Sequence, residues 1–133
     1  MIVPDASAAI LLFGDPGTDP RVDDATKALA ADCEWIVPEH WRTEVLNGLR
    51  GLLRGGKLDP NDAEDAVQWL REATVATAPS GPHLGRMWQL RSNLSAYDAA
   101  YVAVAESHDL TLVTADARIA KAGVARCPIR LIA

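Results

Sequence analysis

Leu110-Thr111-Leu112-Val113-Thr114-Ala115-Asp116 reads as a β-strand over Leu110 to Thr114, followed at once by an acid that opens a short helix around Ile119. The chain begins in the same way. Ile2-Val3 followed by Asp5 reads as a short first strand and Ala6 to Phe13 as the helix that leaves it. Gly14-Asp15-Pro16-Gly17 ends that helix, because Gly and Pro together forbid its continuation. A strand that passes through an acid into a helix, met near both ends of the chain, is the building unit of a parallel sheet.

Working outward from these two units, the alternation continues. A helix is expected from about Val22 to Ala31, and Trp35-Ile36-Val37 is a second strand stopped by Pro38. From Glu39 to Arg54 the apolar residues Trp41, Val45, Leu49 and Leu52 recur at helical spacing until Gly55-Gly56 closes the pattern. Asp59-Pro60 has the form of an N-cap with proline in the first helical position, and Ala63, Ala66, Val67 and Leu70 line one face of the helix that follows. Val75 to Ala78 fits a third strand. Beyond the Pro79-Ser80-Gly81-Pro82 loop, Leu84 to Leu94 reads as a helix with Met87, Trp88 and Leu90 in the core. Ser95 caps another helix to about His108, and Ile129 to Ile132 is the last strand. The expected fold class is α/β: one domain over residues 1–133, with a central, mostly parallel sheet of four to five strands flanked by helices on both faces. Pro4 resists this picture, since it has no N–H to give to a central ladder.

The bulk properties suit such a globule. The chain has 133 residues, of which 49% are hydrophobic and 23% charged, enough to bury one sizeable core. No basic cluster precedes the apolar residues at the N-terminus, so no secretion signal is expected. The longest apolar run, Ala8 to Phe13, is far short of the roughly 20 residues of a membrane span. A cytoplasmic protein without a membrane partner follows. Cys33 and Cys127 lack the spacing of a zinc site and read as small buried hydrophobes. A net charge of −5 disfavours broad coating of nucleic acid, so any such contact must be local.

Four acids stand out. Each has a plain structural use: Asp5 and Asp116 as helix N-caps, Asp98 as the partner of Ser95 in a capping box, Glu44 as a solvent-facing helix residue. Their joint placement argues for more. Asp5 and Asp116 lie at the carboxyl ends of two strands, the edge along which open parallel sheets bind ligands. Asp98 sits in the first turn of the helix leading into the second of those strands. Glu44 shares a small polar helix face with Asn47, Gly48 and Gly51. Carboxylates gathered in one place repel one another unless a cation joins them, and an all-oxygen donor set suits Mg²⁺, or Mn²⁺, better than zinc. Such an ion serves phosphodiester hydrolysis.

The segments Ile2-Val3-Pro4-Asp5-Ala6-Ser7, Glu44-Val45-Leu46-Asn47-Gly48-Leu49, Leu94-Ser95-Ala96-Tyr97-Asp98-Ala99-Ala100-Tyr101 and Leu112-Val113-Thr114-Ala115-Asp116 resemble the four motifs of PIN-domain nucleases. More narrowly they resemble those of the VapC toxins of VapBC toxin–antitoxin modules. The resemblance implies that Asp5 and Asp98 ligate the metal, that Glu44 and Asp116 complete the catalytic acids, and that Ser7, Asn47 and Thr114 support them from behind. It further implies an RNA substrate, a VapB-type antitoxin that blocks the pocket, and a homodimer. Pro4 departs from the family, which more often has an aliphatic residue there.

Arg50, Arg54 and Lys57, at spacings of four and three, form a short basic stripe able to meet RNA or the antitoxin. No histidine receives a role, and the four tryptophans read mostly as core. Two other readings of the same fold are an RNA-processing nuclease without an antitoxin and a PIN-like module that binds RNA or protein without cutting. A receiver-like or dehalogenase-like phosphoryl-transfer domain fits less well, because Asp5-Ala6-Ser7 lacks a second aspartate and no lysine follows the Leu110 strand before Lys121.

Overall fold

The computed structural model describes residues Met1 to Ala133. In chain order the elements are β1 (Val3–Pro4), α1 (Ala6–Ile10, continued as a 3-10 turn over Leu11–Phe13), α2 (Arg21–Ala31), β2 (Ile36–Pro38), α3 (Trp41–Arg54), α4 (Pro60–Glu72) and β3 (Ala76–Ala78). They continue with α5 (Leu84–Gln89), α6 (Ala96–Ser107), β4 (Leu112–Thr114), α7 (Ala117–Ala122) and β5 (Ile129–Leu131). All strand pairs are parallel.

The five strands divide into a three-stranded sheet, β1-β4-β5, and a two-stranded sheet, β2-β3, joined by one bridge from Ile2 to Trp35. Two prolines explain the division. Ile2 N–H donates to Glu34 O and Ile36 N–H to Ile2 O. In a parallel ladder the next two donors would be the N–H groups of residues 4 and 38, and both are proline. Pairing between β1 and β2 therefore stops after one bridge. On its other edge β1 is intact, since Val3 N–H and Asp5 N–H donate to Thr111 O and Val113 O, each at 3.0 Å. Pro4 is tolerated centrally because its missing donor faces only the interrupted side.

Strand alternation sorts the core onto two faces. Val3 and Leu112, with Ile129 beside them, pack into a 22-residue cluster with α3, α4 and α6. Val113 and Ile132, with Ile2, pack on the other face against Val22, Ala25 and Leu29 of α2. Ala99 to Ala105 of α6 are all buried, the pattern of a helix enclosed on every side. Trp41 is fully buried with its indole N–H unpartnered. Burying about 200 Å² of ring is worth about 5 kcal/mol, which exceeds the ~1–3 kcal/mol of one unpaired donor.

Three expectations are corrected. The helix expected to reach Leu94 ends at Gln89, and Trp88, expected in the core, is 68% exposed. Leu84 and Trp88 are four residues apart and share the solvent face, while Leu90 and Leu94 in the following turns take the buried positions. The cysteines are not both buried, for Cys33 is exposed and Cys127 only partly covered, and both are free thiols. Among the helices none is long and apolar enough to cross a membrane.

Candidate active site

Following the bridge, the strand order reads β3-β2-β1-β4-β5. The chain runs outward from β1 to one side and then returns to β4 on the other, so the order reverses between β1 and β4. A crevice at the carboxyl ends of the strands opens at such a reversal. Asp5 follows β1 there and Asp116 follows β4. The register Val3 with Leu112 and Pro4 with Val113 sets Asp5 beside Thr114, on the same face.

Asp5 is 3% exposed and fully engaged. Its Oδ1 accepts from Ala8 N–H at 2.9 Å, which makes it the N-cap of α1, and from the Ser7 hydroxyl at 2.6 Å. Its Oδ2 accepts from the Thr114 hydroxyl. Each hydroxyl also accepts a backbone N–H from the turn after β4, Ser7 from Ala115 and Thr114 from Asp116. Ser7 and Thr114 thus tie the start of α1 to the end of β4 through one carboxylate. Burial pushes the Asp5 carboxyl up to about 6, against the pull of those hydrogen bonds, and the Asp98 charge adds to the rise.

Ser95 caps α6 by accepting from Asp98 N–H at 3.1 Å, while the return bond from the Asp98 carboxylate to the Ser95 amide is not made. That carboxylate faces the other acids. Its pKa is raised by burial first, then by the charges of Asp116 and Glu44. With its effect on Asp5, this makes Asp98 the acid that senses all three others. Asp98 and Tyr101 are one turn apart on α6, and the Tyr101 hydroxyl donates to Glu44 Oε1 at 2.8 Å. His40 Nε2 stands 2.9 Å from the same oxygen, close but without an aligned hydrogen bond. Burial pushes Glu44 up, but His40 and Tyr101 outweigh it and hold its carboxyl below the ordinary value. Burial, followed by the Glu44 charge, drives the Tyr101 phenol far above its ordinary range, so it remains a donor. Neither His40 nor Tyr101 was expected from the sequence. Their signal is positional: four residues before Glu44 and three after Asp98.

The small face of α3 borders protein at Gly48 alone, while Asn47 and Gly51 are exposed. A Cβ on Gly48 would lie 2.0 Å from Ile10 Cδ1 of α1, so the absence of a side chain lets α3 approach α1 and brings Glu44 towards Asp5. Gly51 faces open space. Asn47, expected behind Glu44, is exposed and hydrogen-bonds to none of the four acids.

Asp116 caps α7 by accepting from Arg118 N–H, and its two oxygens are gripped by the Arg118 guanidinium at 3.0 and 2.6 Å. The Arg118 hydrogen bonds hold its pKa below the ordinary range. Beyond Asp116 and Ser7 opens a cleft of about 930 Å³, lined by Ile10, Leu11 and Leu52 and edged by the ion pairs Arg21–Asp19 and Arg118–Asp116, with Asp15 and Lys57 beside them. Of the expected basic stripe only Lys57 lines this cleft. Arg50 and Arg54 are exposed elsewhere on α3, because spacings of four and three follow one helix face only until the helix ends at Arg54.

An acidic crevice at the reversal of a parallel sheet now has a family to be compared with, and the PIN domain model matches residues 2–125. The chain belongs to the PIN-domain family. Ribonuclease VapC9 of Mycobacterium tuberculosis is 39% identical to this PIN domain over 132 residues, 99% of this chain and 98% of that protein. Ribonuclease VapC3 of the same organism is 34% identical over 121 residues, 91% and 86% of the two chains. Among solved structures, Mycobacterium tuberculosis VapC20, described as a sarcin-ricin loop cleaving toxin, superposes with a TM-score of 0.67 at 20% identity. It covers 92% of this chain and 95% of its own. At that identity it speaks for the fold alone.

PIN nucleases are in general dependent on a divalent metal, and the residues of this PIN domain fit one. The donors are all carboxylate oxygens, and Asp5 and Asp98 both carry charge that burial leaves poorly compensated. No three acids close on a single point, and none need do so, because Mg²⁺ keeps several waters and takes one or two carboxylates.

Proposed function

We propose that this chain is a metal-dependent endoribonuclease, the toxin of a VapBC-type toxin–antitoxin module, acting in the cytoplasm. One observation carries the reading. Asp5 and Asp116 flank the reversal of the sheet, with Asp98 near enough to feel the charges of Asp116 and Glu44, in a chain 39% identical over nearly its whole length to a named ribonuclease.

Asp5 and Asp98 are the residues that would hold the cation, Mg²⁺ or alternatively Mn²⁺, which when bound supplies Lewis acidity towards a phosphoryl oxygen and an acidified water. The protein supplies the rest. Ser7 and Thr114 lock the Asp5 carboxylate in place. Tyr101 and His40 keep Glu44 ionised and oriented, ready to accept a proton from the attacking water. Asp116, released from Arg118, completes the negative pocket, and the freed guanidinium is then available to the phosphate. A homodimer and a VapB-type antitoxin covering the pocket are part of the same reading.

The test is to induce the parent chain and its Asp5→Asn and Asp98→Asn variants and to map new 5′ ends in cellular RNA. New ends that require both acids, and in vitro cleavage restored by Mg²⁺ after chelation, are the expected result. Undiminished cleavage by either variant would sink the assignment of these ligands. A companion antitoxin would neutralise the parent, whereas a processing nuclease would have none.

A further inference from the structure

We propose that Tyr97, braced by His40, is a stacking platform for a nucleobase of the RNA strand next to the phosphate held at the carboxylates. The proposal rests on the ribonuclease reading and assigns that site a base-binding position.

Tyr97 immediately precedes Asp98 in the first turn of α6. It is 62% exposed, although the seven residues from Ala99 to Ala105 on the same helix are all buried. An exposed tyrosine ordinarily turns freely, but this ring is held. It meets the His40 ring edge-to-face, centroids 5.4 Å apart and planes at 70°. His40 in turn meets Tyr101 at 5.2 Å and 72°. Tyr101 and His40 both contact Glu44 Oε1. An unbroken series of rings therefore runs from solvent to a carboxylate of the site. A T-shaped pair leaves at least one face of each ring uncovered.

The other large exposed aromatic, Trp88, has the Arg91 guanidinium over one face at 4.6 Å and no ring contact that links it to the acids. Tyr97 alone offers an open π-face beside the acids. Such a face suits a base better than a protein side chain. An aliphatic partner seated on Tyr97 would take Asp98 out of water without compensating its charge. A base stacks on the ring while its ribose and phosphate stay solvated, and stacking of unpaired bases on aromatic side chains is the common mode of single-stranded RNA recognition. Geometry supplies a path as well. From its N-cap His40, the 14 residues of α3 extend about 20 Å, past Glu44, to Leu52 and then Lys57 at the edge of the cleft, where Arg21 and Arg118 are paired with Asp19 and Asp116 and Lys57 has no such partner. A strand laid along α3 has an aromatic surface at one end, the acids next to it and the Lys57 ammonium at the other end.

The probe is a set of single-stranded RNA hexamers with one 2-aminopurine moved through each position, bound to the Asp5→Asn chain so that the strand stays intact. At one position the fluorescence is quenched on binding. Tyr97→Ala abolishes that quench and weakens hexamer binding about tenfold or more, whereas Tyr97→Phe and Tyr97→Trp retain both. With Asp5 restored, the loss in Tyr97→Ala falls on KM more than on kcat. Equal affinity and equal quenching in Tyr97→Ala overturn the platform. So does unchanged RNA binding with lost self-association in sedimentation, which would make Tyr97 a protein contact. A chain that cuts no RNA yet shows the Tyr97-dependent quench keeps the platform and loses the ribonuclease reading. Cleavage by Tyr97→Ala at the parental KM does the reverse.

Discussion

Asp5 is the residue on which stability and activity pull in opposite directions. Its carboxyl titrates at about 6 because burial disfavours the charge, against an ordinary value of 3.8. Between pH 4 and 6 the folded chain thus holds a proton that the unfolded chain has released. Stability from this group is full below pH 4, falls as pH rises through 6, and is flat above. The rise corresponds to roughly 2–3 kcal/mol. Asp5→Asn is therefore expected to unfold at higher urea than the parent at pH 7 in the absence of metal, to lose most of that advantage at pH 4, and to be inactive. Equal midpoints at pH 7 would mean that Asp5 carries no burial penalty. Tyr101 acts in the other sense. Tyr101→Phe leaves Glu44 without its donor, so the Glu44 pKa rises and the acid limb of the pH–rate profile moves to higher pH, with kcat down about tenfold. An unmoved limb would remove Glu44 from the proton transfer. The four acids themselves were legible in the sequence because each sits at a strand end or in a helix first turn, places where pattern is informative. Tyr101 was not, since it gains meaning only from facing Glu44 across two packed helices, and the i,i+4 spacing of His40 from Glu44 carried no weight until Tyr101 joined them.

At the scale of elements, the contact between α1 and α3 decides whether Glu44 reaches the site. Gly48 permits it, and Gly48→Ala must displace Ile10. We expect a net loss of about 1–2 kcal/mol, overpacking exceeding the gain in helix propensity, together with a fall in kcat as Glu44 is shifted. Gly51→Ala, three residues on, has nothing within 4 Å and should stabilise the chain by about 0.5–1 kcal/mol with activity retained. Urea unfolding and cleavage rates of the pair separate the two effects, and a stabilised, fully active Gly48→Ala would refute the close-approach argument. Periodicity located α3, its apolar stripe and its small face, yet it left open whether that face met water or protein. Helical spacing specifies which residues share a side and says nothing about what lies opposite. The same gap explains Trp88: its spacing fitted a core, but α5 is too short and its outer side has no neighbour.

At the scale of the whole molecule, the sheet order makes one crevice out of distant segments, and the proposed cation would complete it. Mg²⁺ should raise the melting temperature of the parent chain with a saturable dependence, the increment growing as RT ln(1 + [Mg²⁺]/Kd), about 2.7 kcal/mol at a hundredfold excess over Kd. Asp5→Asn should lose that increment, because the ion gains nothing by neutralising an amide. Calorimetric melts across a magnesium series check this, and an equal rise in both chains would move the ion elsewhere.

The sequence by itself determined the α/β class and the alternation of elements, and it singled out the four acids now proposed for the site, since strand and helix periodicity and capping chemistry are local properties that a few neighbouring residues dictate. Even the paired interruption at Pro4 and Pro38 is written there, although its meaning needs the ladder. Only the tertiary structure decided the rest: the reversal between β1 and β4, the Ser7–Asp5–Thr114 clasp, the His40–Tyr101 hold on Glu44, and the Arg118 grip on Asp116. Asp5–Thr114 and Tyr101–Glu44 join residues remote in sequence, and even the local pairs, such as Arg118 on Asp116, are set by how the packed elements orient their side chains. Their energies depend on burial and on charge proximity, quantities that no local pattern contains.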